Sequence, residues 1–204
     1  NIFCVESWKT LNPEYEYKWW TDEDFINFVK EEYPDFVDVV NNFKLGIIKS
    51  DFFRLLVLYH FGGVYADIDL ECLKPIKEWS LDENKINVAT EPIEHNQLHG
   101  ISDFIICNAL IASPPKKEII LEFIKNANLV NYNYPFEVLF SYGPLAWTSL
   151  YKTSLLQQHL HFLDSKQFYP IPDISNPDIL YEKIPKQNYI NLIKTRKYTS
   201  CAVH

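Results

Sequence analysis

The stretch Phe61-Gly62-Gly63-Val64-Tyr65-Ala66-Asp67-Ile68-Asp69-Leu70 decides how this chain is read. An apolar run follows a double glycine and ends in two aspartates one position apart. Residues two apart on a strand face the same way, so a strand over 64–68 would place Asp67 and Asp69 side by side at its carboxyl end. Two close carboxylates repel, and a fold keeps them together with a compensating cation. A divalent metal takes hard oxygen ligands, and its remaining positions accept phosphate oxygens. Ligands of open α/β sheets gather at the carboxyl ends of strands. Solvated turn carboxylates are the plainer reading of any D-x-D. Here the apolar lead-in and the glycine pair favour a nucleotide-diphosphate site.

Just upstream, residues 45–60 read as a helix, with Ile48, Phe52, Leu55, Leu56 and Tyr59 at three- and four-residue spacing. Gly62-Gly63 ends it through left-handed backbone. Asp51 and Arg54 share one face of this helix. An ordinary i,i+3 ion pair, worth a few tenths of a kcal/mol (~0.3), would explain them. Their position on an otherwise apolar helix beside the Asp67 strand suggests more. An arginine fork bonds sugar hydroxyls or phosphate oxygens, and a carboxylate accepts from hydroxyls.

Working outward, Tyr15 to Trp20 reads as an aromatic-rich strand, and Thr21 caps a helix opened by Asp22, Glu23 and Asp24. A second helical pattern covers 34–43. Strands are expected over 86–90 and 104–112, the latter nearly all apolar and hence central. Pro114-Pro115 opens a helix running to about residue 127, and another follows Gly143-Pro144. The Pro-rich region 169–185 reads as irregular, and 202–204 as a last short strand. Strands alternating with helices give an α/β fold with a mostly parallel sheet. The 204 residues suit one domain. An Asn at position 1 and the lack of any Met suggest a fragment of a longer chain.

Apolar residues make up 47% and aromatic residues 16%, which excludes a disordered chain. No apolar run reaches the roughly 18 residues that a membrane span needs, and no secretory signal opens the chain. A net charge of −8 argues against nucleic acid as partner. A single nucleotide, neutralised locally, is not excluded. Cys4, Cys72, Cys107 and Cys201 show neither zinc spacing nor a dense disulfide pattern. Cys107, inside an apolar run, reads as a buried thiol. The histidines His60, His95, His99, His159 and His161 show no spacing that demands a metal. His95 and His99 fall in a 91–102 loop that could cover an acceptor. Trp19, Trp20, Tyr132, Tyr134 and Trp147 could stack on sugars, although core packing suits most of them better.

Taken together, Lys49-Ser50-Asp51-Phe52-Phe53-Arg54, Gly62-Gly63-Val64-Tyr65-Ala66-Asp67-Ile68-Asp69 and Leu73-Lys74-Pro75 resemble the sugar-binding region of DXD-containing glycosyltransferases. The nearest group is glycosyltransferase 32, which includes the yeast initiating α-1,6-mannosyltransferase. The Asp51–Asp67 spacing is also similar to that in clostridial glucosylating toxins. Ser7-Trp8, Asn12-Pro13, Asn108 and Gly143-Pro144 fit the same pattern. The likeness is strongest over 49–76 and thin beyond 150.

The resemblance implies a GT-A-type, Rossmann-like nucleotide-sugar fold with helical additions, spanning 1–204 as one domain that lacks a first strand and a segment after His204. It makes Asp67 and Asp69 the metal and diphosphate element, with Mn²⁺ or Mg²⁺ on Asp69 and Asp67 nearer the ribose and donor sugar. Asp51, Arg54 and Tyr65 would hold the transferred sugar, and Asn108 would sit at the donor–acceptor junction. Gly143-Pro144 would pack near the acceptor, although a plain helix start explains it equally well. His204 would be a further metal or phosphate contact. The implied reaction moves a hexose from a nucleotide sugar to a glycan or protein hydroxyl with retention of configuration. GDP-mannose is the first donor choice, and UDP-glucose, UDP-galactose and UDP-N-acetylglucosamine are alternatives. A non-catalytic carbohydrate- or nucleotide-binding domain and a nucleotide-sugar phosphohydrolase are the competing classes. A eukaryotic member would work in the Golgi lumen, and any other in the cytoplasm.

Overall fold

The computed structural model describes residues 2–92, 95, 103–127, 136–170, 187, 188, 191 and 201–203. The chain opens with α1 (Ile2–Leu11) and α2 (Asp22–Glu32). Thr21 and Asp24 form a reciprocal capping box at the start of α2, as the acidic first turn suggests. A short 3₁₀ turn leads into α3 (Val37–Asn41), and α4 (Gly46–Phe61) follows. Then come β1 (Gly63–Ala66), β2 (Glu71–Cys72), β3 (Ile86–Thr90) and β4 (Ile106–Ser113). The remaining described elements are α5 (Glu118–Ala127), α6 (Phe136–Ser141), α7 (Pro144–Lys152), β5 (Leu160–Phe162), α8 (Ser165–Phe168) and β6 (Ala202–Val203).

The α/β class holds, but the mostly parallel sheet does not. The strand order is β1-β4-β3-β5, with β1–β4 and β3–β4 antiparallel and only β3–β5 parallel. β2 and β6 form a separate antiparallel pair. The apolar run of β4 reads as a doubly covered strand, and it is one. Cover on both faces, which the sequence pattern reports, does not require parallel neighbours. Residues 16–20 form no strand. Of their aromatic side chains Trp20 packs, against Phe28 and Phe53, while Tyr17 and Trp19 are exposed.

The sheet separates two cores. One face meets α2, α4, α5 and α7 through Ile86, Val88, Ile106 and Ile111, together with Phe52, Phe123 and Trp147. The other face gathers Ala89, Cys107, Leu110, Trp8, Leu70, Trp79 and Phe168. Phe52, Leu55 and Leu56 of α4 are fully buried, each worth about 1.5–3 kcal/mol of transfer free energy. This is why the α4 register, and with it the position of Asp51 and Arg54, is fixed.

Two local features aim the site. At the α4–β1 junction Gly62 adopts φ 67° and ψ −155°. A Cβ there would lie 2.6 Å from the Pro115 nitrogen and 2.9 Å from the Ser113 carbonyl oxygen. Only glycine allows the helix to turn straight into β1. In β4 the pairing with β3 jumps from Asn87↔Ala112 to Ala89↔Cys107. One residue of β3, Val88, therefore stands opposite four of β4, Asn108 to Ile111. Asn108 lies in that irregular stretch, a common way to re-aim a side chain beside a site.

Candidate functional site

Asp51 and Arg54 lie one helical turn apart on α4, each 4% exposed. Arg54 Nη2 is 2.8 Å from Asp51 Oδ1, and its Nη1 is 3.4 Å from Asp67 Oδ1. Nη1 also donates to the carbonyl oxygen of Asn108. Asn108 Nδ2 donates to Asp51 Oδ1 at 2.9 Å and to the Tyr142 carbonyl at 3.4 Å. The Tyr65 hydroxyl donates to Asp67 Oδ1 at 2.8 Å, and the Arg54 guanidinium lies 4.6 Å from the Tyr65 ring centroid. Asp51 of α4, Tyr65 of β1, Asp67 just beyond it and Asn108 of β4 thus gather around the Arg54 guanidinium. Asp51, Arg54, Tyr65, Asp67 and Asn108 are brought together as the sequence suggests. The plain i,i+3 ion pair is also present, but as part of a buried network.

Burial pushes the Asp51 carboxyl up to about 6, although Arg54 and Asn108 both pull it down. Burial pulls the Arg54 pKa down, but Tyr65, Asp67 and Asp51 more than reverse this, so its charge is secure. Arg54 Nε is buried without a hydrogen-bond partner in this arrangement, and so is the Tyr142 hydroxyl.

The aspartate pair needs a correction. β1 ends at Ala66, and Asp67 to Leu70 form a turn closed by the Leu70 N–H bonding the Asp67 carbonyl at 3.0 Å. Strand alternation therefore does not set the two carboxylates side by side. They nevertheless line one cavity of about 420 Å³, together with Asn108 and Tyr169. The turn is clamped from below by α1 and the residue that follows it. The Trp8 indole donates to the Leu70 carbonyl at 2.7 Å, Ser7 Oγ accepts from the Cys72 amide at 2.8 Å, and Asn12 Oδ1 accepts from the Ile76 amide at 2.7 Å. The N-terminal Ser-Trp and Asn-Pro motifs thus work by holding the segment that carries Asp69.

Among the described residues no group of three or more His, Cys, Asp or Glu could by itself hold a metal. The donor set still fits a Mn²⁺ or Mg²⁺ ion. Asp67 and Asp69 supply hard oxygens on one cavity, and such ions are commonly bound by one or two carboxylates plus substrate phosphates. The ligand assignment for His204 lies outside the described residues, as do Tyr132, Tyr134 and His99. Trp20 and Trp147 are packing residues, whereas Trp19 is 53% exposed. Gly143 precedes α7 as its N-cap, the plain helix start, and Pro144 lines the cavity of Asp67 and Asp69. Cys107 is a buried thiol, and all four cysteines are free. No described helix is long and apolar enough to cross a membrane. Sequence reasoning missed Tyr142 and Tyr169, which no spacing signals.

A second cavity, of about 400 Å³, opens on the other side of Asp67. Tyr17, Trp19, Trp20, Lys49, Ser50 and Tyr65 line it, and Lys18 Nζ sits 4.0 Å from the Trp20 ring centroid. Asp67 is shared by both cavities.

This geometry can be set beside known proteins. Residues 1–86 match the glycosyltransferase sugar-binding region containing a DXD motif. The matched region includes Asp51, Arg54, Tyr65, Asp67 and Asp69. The chain is 30% identical over 161 residues to inositol phosphoceramide mannosyltransferase 1 of Schizosaccharomyces pombe, covering 76% of this chain and 47% of that protein. It is 36% identical over 77 residues to the initiation-specific alpha-1,6-mannosyltransferase of Candida albicans, covering 36% and 20%. A solved structure, PaToxG glycosyltransferase, aligns at a TM-score of 0.46 and 18% identity over 97% of this chain and 68% of that one. The chain spans about half the length, or less, of these two curated relatives. The DXD resemblance read from the sequence, including its likeness to the initiating mannosyltransferase, stands.

Proposed function

We propose that this chain is the donor-binding part of a metal-dependent glycosyltransferase that moves a hexose, mannose from GDP-mannose as first choice, with retention of configuration. The observation that carries the reading is the convergence of Asp51, Arg54, Tyr65, Asp67 and Asn108 at the edge of a cavity shared with Asp69. The mannosyltransferase relatives favour mannose as the sugar.

In this reading the aromatic, lysine-rimmed cavity takes the nucleoside, and the diphosphate crosses Asp67 into the second cavity. Asp67 and Asp69 would hold a Mn²⁺ or Mg²⁺ ion, which as a Lewis acid stabilises charge on the departing diphosphate. Arg54 adds fixed positive potential where that charge grows. Asp51 and Asn108 fix the sugar through its hydroxyls. The buried network holds these groups before substrate arrives, so little reorganisation is needed during bond cleavage. The acceptor is a hydroxyl compound. The relatives' names point to inositol phosphoceramide or a mannosyl glycan as the first to try.

The test is a donor panel with Mn²⁺ and the full-length protein. GDP-mannose should be hydrolysed in a metal-dependent way, and added acceptor should divert the product from free mannose. Turnover of a UDP-sugar instead reassigns the donor. Release of free sugar that no acceptor diverts marks a phosphohydrolase. No turnover of any donor by folded protein leaves only a binding domain.

A further inference from the structure

The cavity beside the aspartate pair holds more polar chemistry than the donor needs. Glu91, His95, Cys107 and Tyr169 line it along with Asp67, Asp69 and Asn108. Tyr169 is 4% exposed, and its hydroxyl has no hydrogen-bond partner of full geometry, only an interaction with the Cys107 thiol. A buried hydroxyl so incompletely satisfied is a group that a bound ligand can engage. Burial first, then the nearby Cys107, Glu91 and Asp67, push its pKa well up, so it stays a neutral hydroxyl. Asp67 of the DXD pair lines the same cavity. The Cys107 thiol is likewise held neutral by burial and by Glu91.

Glu91 follows β3, and its backbone is tied by its amide to the Ile105 carbonyl at 2.8 Å. Its Oε2 lies 2.8 Å from His95 Nδ1, with both side chains 17% exposed. Tyr169 is fixed at the end of α8 by its amide bonding the Ser165 carbonyl at 2.7 Å. Both side chains therefore sit on anchored backbone, as a binding site requires.

The chemistry of this wall narrows its ligand. Glu91, Asp67 and Asp69 together disfavour a second anion. A carboxylate accepts from hydroxyls, and a tyrosine hydroxyl both donates and accepts. Leu139 and Leu145 add apolar surface of the kind that covers the C–H face of a ring. A volume of about 420 Å³ lies in the range of small-molecule sites.

We infer that Glu91 and Tyr169 form an acceptor subsite that binds the hydroxyls of a neutral polyhydroxylated ring, a sugar or a cyclitol, beside Asp67. This rests on the transferase reading above and adds the acceptor side to it. His95 Nδ1 meets the Glu91 carboxylate at 2.8 Å.

The experiment uses the full-length protein with Mn²⁺ and its donor, and two probes, methyl α-D-mannopyranoside and myo-inositol. The readouts are acceptor KM, kcat at saturating acceptor, and the ratio of transfer to hydrolysis. Glu91→Gln and Tyr169→Phe should each raise acceptor KM about tenfold, the loss of one hydrogen bond, and shift product toward free sugar. The probe that is glycosylated tells sugar from cyclitol. Tyr169→Phe keeps the ring and its packing, so the test stands even if position 91 proves intolerant. Unchanged acceptor KM and partition in Tyr169→Phe overturn the subsite while leaving the transferase intact. Absence of donor turnover in the unaltered protein overturns both.

Discussion

Arg54 and Asp51 form a buried ion pair on consecutive turns of α4, 2.8 Å apart with both side chains 5% exposed. Burying such a pair rarely gains stability, because desolvation offsets the mutual attraction. It does pre-position charge, and the measurable consequences divide between folding and turnover.

Replacing Asp51 by Asn keeps an oxygen for Arg54 and Asn108 and removes the buried anion. Stability at pH 7.5 should stay within about 1 kcal/mol of the parent or rise, while donor turnover falls about a hundredfold. Denaturant unfolding and donor hydrolysis, measured on the same preparation, check the two halves. Equal loss of both would make Asp51 a structural residue.

The same carboxyl gives a pH signature. Its folded pKa, raised by burial to about 6, lies above an unfolded value near 3.8. The folded state therefore binds its proton more tightly, and stability from this group is full below about 4 and lost as pH rises through 6. The total is of order 3 kcal/mol. Unfolding curves between pH 4.5 and 7, parent minus Asp51→Asn, should show that decline. A flat difference would contradict it.

Arg54→Ala strands Asp51 without its counter-charge and should cost about 3–5 kcal/mol. Arg54→Lys should restore part of the stability but little turnover, since one ammonium cannot span Asp51, Asp67 and the Asn108 carbonyl as the fork does. Thermal melts and donor hydrolysis separate these effects.

Asp69→Ala should abolish Mn²⁺-dependent nucleotide binding, read by titration calorimetry with and without the ion, while the melting temperature of the metal-free protein barely moves. Mn²⁺-dependent nucleotide affinity equal to that of the parent would remove Asp69 from the site.

Gly62→Ala meets both an all-but-glycine backbone conformation and the Pro115 nitrogen at 2.6 Å. It should destabilise by at least about 1–3 kcal/mol. Gly63→Ala, at φ 89° but with open space around its Cβ, should cost less. Reversal of that order in unfolding experiments would show that the junction relaxes.

The helix carrying Asp51 and Arg54, its glycine stop, β3 and the doubly covered β4 were legible in the sequence because each rests on local periodicity or backbone chemistry. The sheet's mixed direction was not, since β4 buried on both faces gives the same apolar run beside parallel or antiparallel neighbours. Asp67 and Asp69 were found as a pair but for a partly wrong reason. The sequence suggested alternation on a strand, whereas a turn held by Trp8 and Ser7 brings them to one cavity. Such clamps act over more than 60 residues and leave no periodic trace. Tyr169 stayed hidden because a single aromatic in a Pro-rich region looks like any other, and only the fold reveals its incompletely satisfied hydroxyl.

The glycine-to-strand junction and the aromatic packing around Phe52 leave α4 no hinge. In the proposed transferase, the helix would then not swing aside to admit the donor. Heat inactivation and global melting should be one event, because the charges cannot come loose while the hydrophobic interior stays intact.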